Sequence, residues 1–192
     1  MSKDALQTLA KARGMVAGAR VKGWDDAARH MDHYLDGSGE PLGVDVDELI
    51  RDNGTVADAI KQRENDVASA AVEKARKEGV HGPVTYPVNT TWAHTFADNS
   101  QNWYYATNGM AHNAAGHVTV YPPDTPNGKW RYEMETQVNY RDRYNFDDGK
   151  SAPVNGDTVP DKDLADLHRA GLAKEYTLHG TSSTRRRSGS IS

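Results

Sequence analysis

Apolar residues recur at helical spacing along the chain as far as Gly82, and at alternate positions along much of the remainder. Ala5, Leu6, Leu9, Ala12, Val16 and Ala19 keep a 3.6-residue period, which predicts a helix over residues 4–20. Trp24, Ala27, Ala28, Met31, Tyr34 and Leu35 predict a second over 24–35. Asp25 and Asp26 complement the dipole at its start, and Gly37-Ser38-Gly39 ends it. A short helix comes next, capped by Asp45 or Asp47. Val56, Ala59, Ile60, Arg63, Val67, Ala70, Ala71 and Ala75 supply the packing side of a long helix over 55–77, stopped by Gly79 and Gly82-Pro83.

The second half changes period. Residues 84–86, 90–96 and 103–109 read as short extended segments, with a turn at Asn108-Gly109. The clearest strand is Trp130 to Tyr140, where Trp130, Tyr132, Met134, Thr136, Val138 and Tyr140 alternate with Arg131, Glu133, Glu135, Gln137 and Asn139. It pairs most naturally with a strand over 117–121 across the proline-rich connector 122–128. A short helix over 160–170 and an edge strand over 173–178 complete the pattern. The expected class is α+β: a helical N-terminal half packed against a mainly antiparallel β-sheet. The expected regions are 1–83 (helical), 84–180 (sheet with one short helix, one domain with the helices) and 181–192 (a disordered tail rich in Arg and Ser).

Composition narrows the class. The 192 residues suffice for one substantial domain. A formal net charge of -4 argues against nucleic acid as a general partner. With no cysteine, disulfide and thiolate chemistry are excluded. No apolar run is long enough for a transmembrane helix, and the N-terminus shows no signal-peptide core. The expected location is therefore secretion or delivery by a specialised system, or otherwise the cytoplasm.

Candidate chemistry concentrates in Asp142-Arg143-Tyr144-Asn145-Phe146-Asp147-Asp148-Gly149-Lys150. Continuing the strand phase past Tyr140 puts Asp142 with the apolar face. A carboxylate there is costly unless it is paired or exposed at a sheet end. Asp142, Tyr144, Asp147, His168 and Arg169 form a candidate catalytic set. Asp142 and Asp147 would hold Mg²⁺ or act as a base. His168 would exchange a proton near neutral pH, and Arg169 would grip a phosphate. Asn113, His117 and Lys150 are candidate substrate-binding residues. The competing reading is an acidic turn stabilised by Asp–Arg pairs. A second candidate is aromatic: Trp92, Trp103, Tyr104, Tyr105, Tyr121, Trp130 and Tyr132 form either core or a stacking platform for a sugar or a base.

These residues carry two resemblances. The stretches from Asn102-Trp103-Tyr104-Tyr105-Ala106 through Tyr121-Pro122-Pro123-Asp124, with Asp142 to Ser151 and Leu167 to Ala173, resemble a module at the C-terminal end of large secreted or toxin-like actinobacterial proteins. That resemblance spans roughly residues 20–185. Asp142-x-Tyr144, with the later His168-Arg169, resembles the activity domain of colicin M-like bacteriocins, whose motif is Asp-x-Tyr-Asp followed shortly by His-Arg. Here Asn145 stands where that motif has aspartate, Asp147 lies two residues on, and the gap to His168 is longer.

The bacteriocin resemblance implies a Mg²⁺-dependent hydrolase that cleaves the lipid-linked precursor lipid II on the periplasmic side of the membrane. Both resemblances imply an antimicrobial toxin or effector domain. The implied partners are a lipid-linked phosphate substrate and a delivery or immunity protein. Two alternatives stand beside this: a non-enzymatic structural or binding module of a larger secreted or self-assembling machine, and a nuclease-type toxin.

Overall fold

The computed structural model describes residues 3–147, 151–154 and 157–192. Its helices are α1 (Lys3–Val21), α2 (Asp25–Asp36), α3 (Val46–Asp52), α4 (Gly54–Glu78), α5 (Gln101–Ala106) and α6 (Asp161–Arg169). Its strands are β1 (Leu42–Gly43), β2 (Val84–Asn89), β3 (Ala93–Phe96), β4 (Gly109–Tyr121), β5 (Trp130–Tyr144), β6 (Ser151–Val154), β7 (Asp157–Pro160), β8 (Tyr176–Thr181) and β9 (Arg185–Ile191). The hydrogen-bonded order is β1-β8-β5-β4-β2, with β3 beside β4 and β9 beside β5, while β6 and β7 pair separately. The class is α+β, as the change of period predicts.

The helix ends follow the local chemistry. Asp45, not Asp47, caps α3, its side chain accepting from the Glu48 amide at 2.9 Å. Gly37 and Gly79 close α2 and α4 in the left-handed conformation that favours glycine.

The chain forms two compact units. The first comprises Met1–Val44, Phe96–Met110 and Arg141–His179. Its core is an aromatic stack. The Tyr144 ring lies nearly parallel to Tyr176 at 5.1 Å between centroids and edge-on to Phe146 at 5.4 Å. Two phenols of this core are satisfied by backbone: Tyr34 donates to the Leu164 carbonyl at 2.8 Å and Tyr176 to that of His30 at 2.7 Å. Within β8, Leu178 pairs in parallel with Leu42 of β1. The segment expected as an edge strand is thus flanked by β1 and β5.

Residues 103–106 are helical here, not extended. The Ser100 hydroxyl accepts from the Trp103 amide at 3.4 Å, and Trp103 and Ala106, three apart, are both buried. Tertiary burial of that face outweighs the strand preference of consecutive aromatics.

The second unit comprises Asp45–Thr95, Ala111–Tyr140 and Gly180–Ser192. Ala68, Ala71, Val72 and Ala75 of α4 pack on Val88, Val118, Val120, Tyr132 and Met134 of the strands. Strands β2 and β4 run antiparallel from Val84↔Val120 to Asn89↔Ala115. Pro87 is accommodated because β2 ends the strand order. Gly116 is required by close approach: a Cβ there would lie 2.0 Å from the Glu135 carbonyl oxygen.

The tail expected to be disordered is strand β9, antiparallel to β5 from Thr136↔Arg185 to Trp130↔Ile191. Arg185 and Arg187, two apart and so on one face, both reach Glu64 of α4, at 2.7 and 3.1 Å. Arg186, on the other face, pairs with Glu135 at 2.8 Å. Glu64 is 1% exposed, so the two guanidinium groups neutralise a carboxylate that would otherwise be buried at high cost.

Candidate functional site

In the first unit, the last residues of β5 meet the turn between α5 and β4 and the start of α6. Together they enclose a cavity of about 290 Å³. Asp142, Tyr144 and Asp147 of the candidate catalytic set line it, with Thr107, Asn145 and Asp161. The Asp142 carboxylate accepts from the Thr107 hydroxyl at 2.8 Å and from the Arg143 amide at 2.8 Å. The position that breaks the apolar phase of β5 is therefore at a cavity wall, where solvent and hydrogen bonds offset the cost of a carboxylate. The Asn145 side-chain amide donates to Asp147 at 3.2 Å and orients it.

Tyr144 is buried, and burial is the first cause pushing its phenol above the ordinary range, with Tyr34 and Asp161 adding to it. A neutral phenol at the cavity wall can donate a hydrogen bond but is no phenolate nucleophile near neutral pH. The Arg143 guanidinium, also at the wall, is anchored by Glu175 at 2.6 Å.

The remaining predicted residues lie elsewhere. His168 and Arg169 close α6 and do not line this cavity. His168 Nδ1 accepts weakly from the Glu175 amide at 3.5 Å, and Arg169 pairs with Asp166 at 2.5 Å. Asp148 and Lys150 lie outside the described residues. In the second unit, buried Asn113 donates to Asn89 at 3.2 Å and accepts from Asn139 at 2.9 Å. His117 is exposed and lies 3.9 Å from Glu135.

Among the described residues no group of three or more His, Asp or Glu side chains converges as a metal site. Of the three carboxylates on this cavity, Asp142 and Asp147 still suit Mg²⁺, which commonly binds through one or two carboxylates plus substrate phosphate and keeps several waters.

Thr107, Asp161 and Phe96 are the wall residues that sequence reasoning missed. Asp161 carried a signal, since it follows Pro160 at a helix start, but its charge was accounted for by the helix dipole. Of the aromatic set, Trp103 and Tyr132 are core, while Tyr104 is 41% exposed at the cavity.

No family model and no curated protein matches the chain. Solved structures to which it is similar are those of colicin M-like bacteriocins and their relatives. One is PaeM, a colicin M-like bacteriocin produced by Pseudomonas aeruginosa, at 15% identity and a TM-score of 0.49, covering 86% of this chain and 51% of that one. Another is the bacteriocin syringacin M from Pseudomonas syringae pv. tomato DC3000, at 17% identity and a TM-score of 0.47, covering 86% and 52%. The chain thus spans about half the length of the bacteriocins it matches. These matches overturn the broader resemblance read from the sequence: they are to colicin M-like proteins, not to an actinobacterial module.

Proposed function

We propose that this chain is an antibacterial effector domain that hydrolyses a phosphate-containing cell-envelope precursor, of the lipid-linked diphosphate kind. The observation that carries the reading is Asp142: the residue out of place in the strand pattern stands on a cavity wall, with Tyr144 and Asp147 on the same cavity. Asp142 and Tyr144 are also the two positions that match the bacteriocin motif.

In this reading Asp142 takes the proton of a water as its oxygen bonds to phosphorus, while the P–O bond to the leaving group breaks and that group departs as an oxyanion that solvent protonates. The neutral Tyr144 phenol donates a hydrogen bond to a phosphoryl oxygen, where negative charge grows in the transition state. Arg143, held by Glu175, adds positive charge at the wall. Asp142 and Asp147 would hold Mg²⁺, which supplies charge stabilisation of the phosphoryl group. His168 and Arg169 do not line this cavity, so the proton exchange and phosphate binding expected of them form no part of this step. His168→Ala and Arg169→Ala test whether those roles are needed.

The deciding experiment is expression in a bacterial host with and without a periplasmic leader. Killing only after export, lost in Asp142→Asn, is the expected result. Killing from the cytoplasm would favour a nuclease-type toxin instead. No killing in either compartment, with a folded protein, would favour a binding module. A delivery or immunity protein is the partner this activity calls for. Among the described residues no helix is long and apolar enough to cross a membrane.

A further inference from the structure

One buried histidine of the first unit has no part in the proposed reaction. His30, on α2, is 0% exposed. Its Nδ1 lies 2.7 Å from the Ala106 carbonyl oxygen, which can only accept, so Nδ1 carries the proton and donates. Its Nε2 is buried and has no hydrogen-bond partner among the described residues. Burial is the first cause holding the ring below the ordinary histidine value, which keeps it neutral in this tautomer. A buried nitrogen left unsatisfied costs stability. Packing alone therefore does not explain histidine at this position, and the donor on Nδ1 is the group with a distinct task.

Ala106 is the last residue of α5, and its carbonyl belongs to the peptide that leads into Thr107. The N–H of that same peptide donates to the Trp103 carbonyl at 3.0 Å. Both polar ends of the Ala106–Thr107 peptide are thus fixed, one within α5 and one by α2. From this peptide the Thr107 hydroxyl reaches Asp142 at 2.8 Å. Helix α5 has only six residues, too few to be stable without outside support. That support comes from α2 at both ends. At the start the Asn102 side chain accepts from the Ala27 amide at 3.0 Å and donates to Asp26 at 2.7 Å. At the end His30 holds the carbonyl. The anchor is itself fixed: the His30 main-chain carbonyl accepts from the Tyr176 hydroxyl at 2.7 Å, and the imidazole stands edge-on to the Tyr144 ring at 6.0 Å between centroids.

We infer that His30 is a positioning residue for Asp142: its Nδ1–H sets the Ala106–Thr107 peptide, and with it the Thr107 hydroxyl that aims the carboxylate. This role rests on the proposed function for the reaction that Asp142 serves, and on α2 and α5 for the positioning itself. His30 does not line the cavity and acts through Thr107.

Two variants separate the donor from the volume it fills. His30→Leu fills most of the space and suits a helix, but has no donor. His30→Asn leaves a void, yet its side-chain amide can donate from the place of Nδ1. Both are compared with wild type and Asp142→Asn as the full chain, by killing after export, at a temperature where a thermal melt shows each protein folded. The Arg143 amide, which donates to the Asp142 carboxylate at 2.8 Å, is followed by NMR in labelled protein. In His30→Leu its signal should move and killing should fall roughly ten- to a hundredfold, the scale of a displaced reacting group. In His30→Asn the signal should stay near its wild-type place and most of the killing should be retained.

Killing by His30→Leu that matches wild type overturns the role of His30. So does an equal loss in the two variants, which would mark simple core packing. Histidine nitrogen shifts of the wild-type chain give a check that needs no variant: a proton on Nε2 rather than Nδ1 overturns the donor. The two readings fail separately. Killing that is lost in Asp142→Asn but untouched in His30→Leu removes the positioning and keeps the activity. An Arg143 signal displaced in His30→Leu and restored in His30→Asn, in a chain that kills from neither compartment, keeps the positioning and removes the activity.

Discussion

Replacing Asp142 by asparagine removes one charge and almost no bulk. Both carboxylate oxygens accept hydrogen bonds, one from the Thr107 hydroxyl and one from the Arg143 amide, each at 2.8 Å. In Asp142→Asn the remaining oxygen still accepts from the amide. The new NH₂ group faces the Thr107 oxygen, and a hydroxyl can turn to accept as readily as it donates. Two hydrogen bonds to a charged group become two neutral ones, a loss of about 1–2 kcal/mol in all. For a chain of this size that lowers the melting temperature by about 2–8 °C. The activity should respond on another scale. Losing a base that takes a proton in the transition state costs roughly 10²–10⁴ in rate. Killing by the exported protein, scored by dilution plating beside a thermal melt of the purified chain, separates the two effects. A variant that melts within that range and still kills within threefold of wild type would refute the assignment of Asp142 as the reacting carboxylate.

The same geometry sets three further outcomes. Glu64→Gln leaves two partly buried guanidinium groups facing a neutral amide, so it should cost about 3 kcal/mol in urea denaturation and raise hydrogen exchange along β9; exchange unchanged there would show that β9 does not depend on the pair. His30 and His112 are held below the usual value of 6.5, in both cases chiefly by burial, so the unfolded chain takes up protons that the folded chain resists. Their effect is absent well above pH 6.5 and destabilises progressively as pH falls below it, so the urea midpoint should drop between pH 7.5 and 5.5; a midpoint that rises on acidification contradicts the sign. Gly116→Ala drives a Cβ into the Glu135 carbonyl oxygen and should cost on the order of 2–4 kcal/mol, read as a shifted denaturation midpoint with the same slope.

Period alone exposed the α+β class, the long helix α4 and the strand β5, because each buries one face against a single layer. Alternation along β5 holds through Tyr132, Met134, Thr136, Val138 and Tyr140, all buried, and so the anomaly at Asp142 was legible too. Features that depended on a distant partner were not. The run Arg185-Arg186-Arg187 looks solvated until Glu64, 121 residues earlier, is placed beneath it. The run Trp103-Tyr104-Tyr105 has the composition of a strand, and only the Ser100 cap hinted at α5. Thr107 and Phe96 carry no catalytic pattern of their own. Folding alone brings residues 96–110 against the end of β5, and with them the hydroxyl that holds Asp142 and the ring that faces its cavity.

Glu64 and Asp142 both occupy positions that belong by pattern to the apolar face, and they are handled in opposite ways. Glu64 lies between Ile60 and Ala68 on the packing side of α4, is 1% exposed, and has its oxygens taken by Arg185 and Arg187. Sealed in that way it can meet no ligand, and its charge serves to fix β9 on the sheet. Asp142 stands on a cavity wall, oriented by the Thr107 hydroxyl and by a backbone amide. Burial cost was offset there by placing the group at an open space rather than by closing protein over it. Loss of the Glu64 charge should therefore appear in stability and exchange, with killing reduced only as far as folding is. Loss of the Asp142 charge should appear in killing, with folding nearly intact. If the two variants gave the same profile, the distinction between a structural and a reactive carboxylate would fail, and with it the reason for placing chemistry at the end of β5.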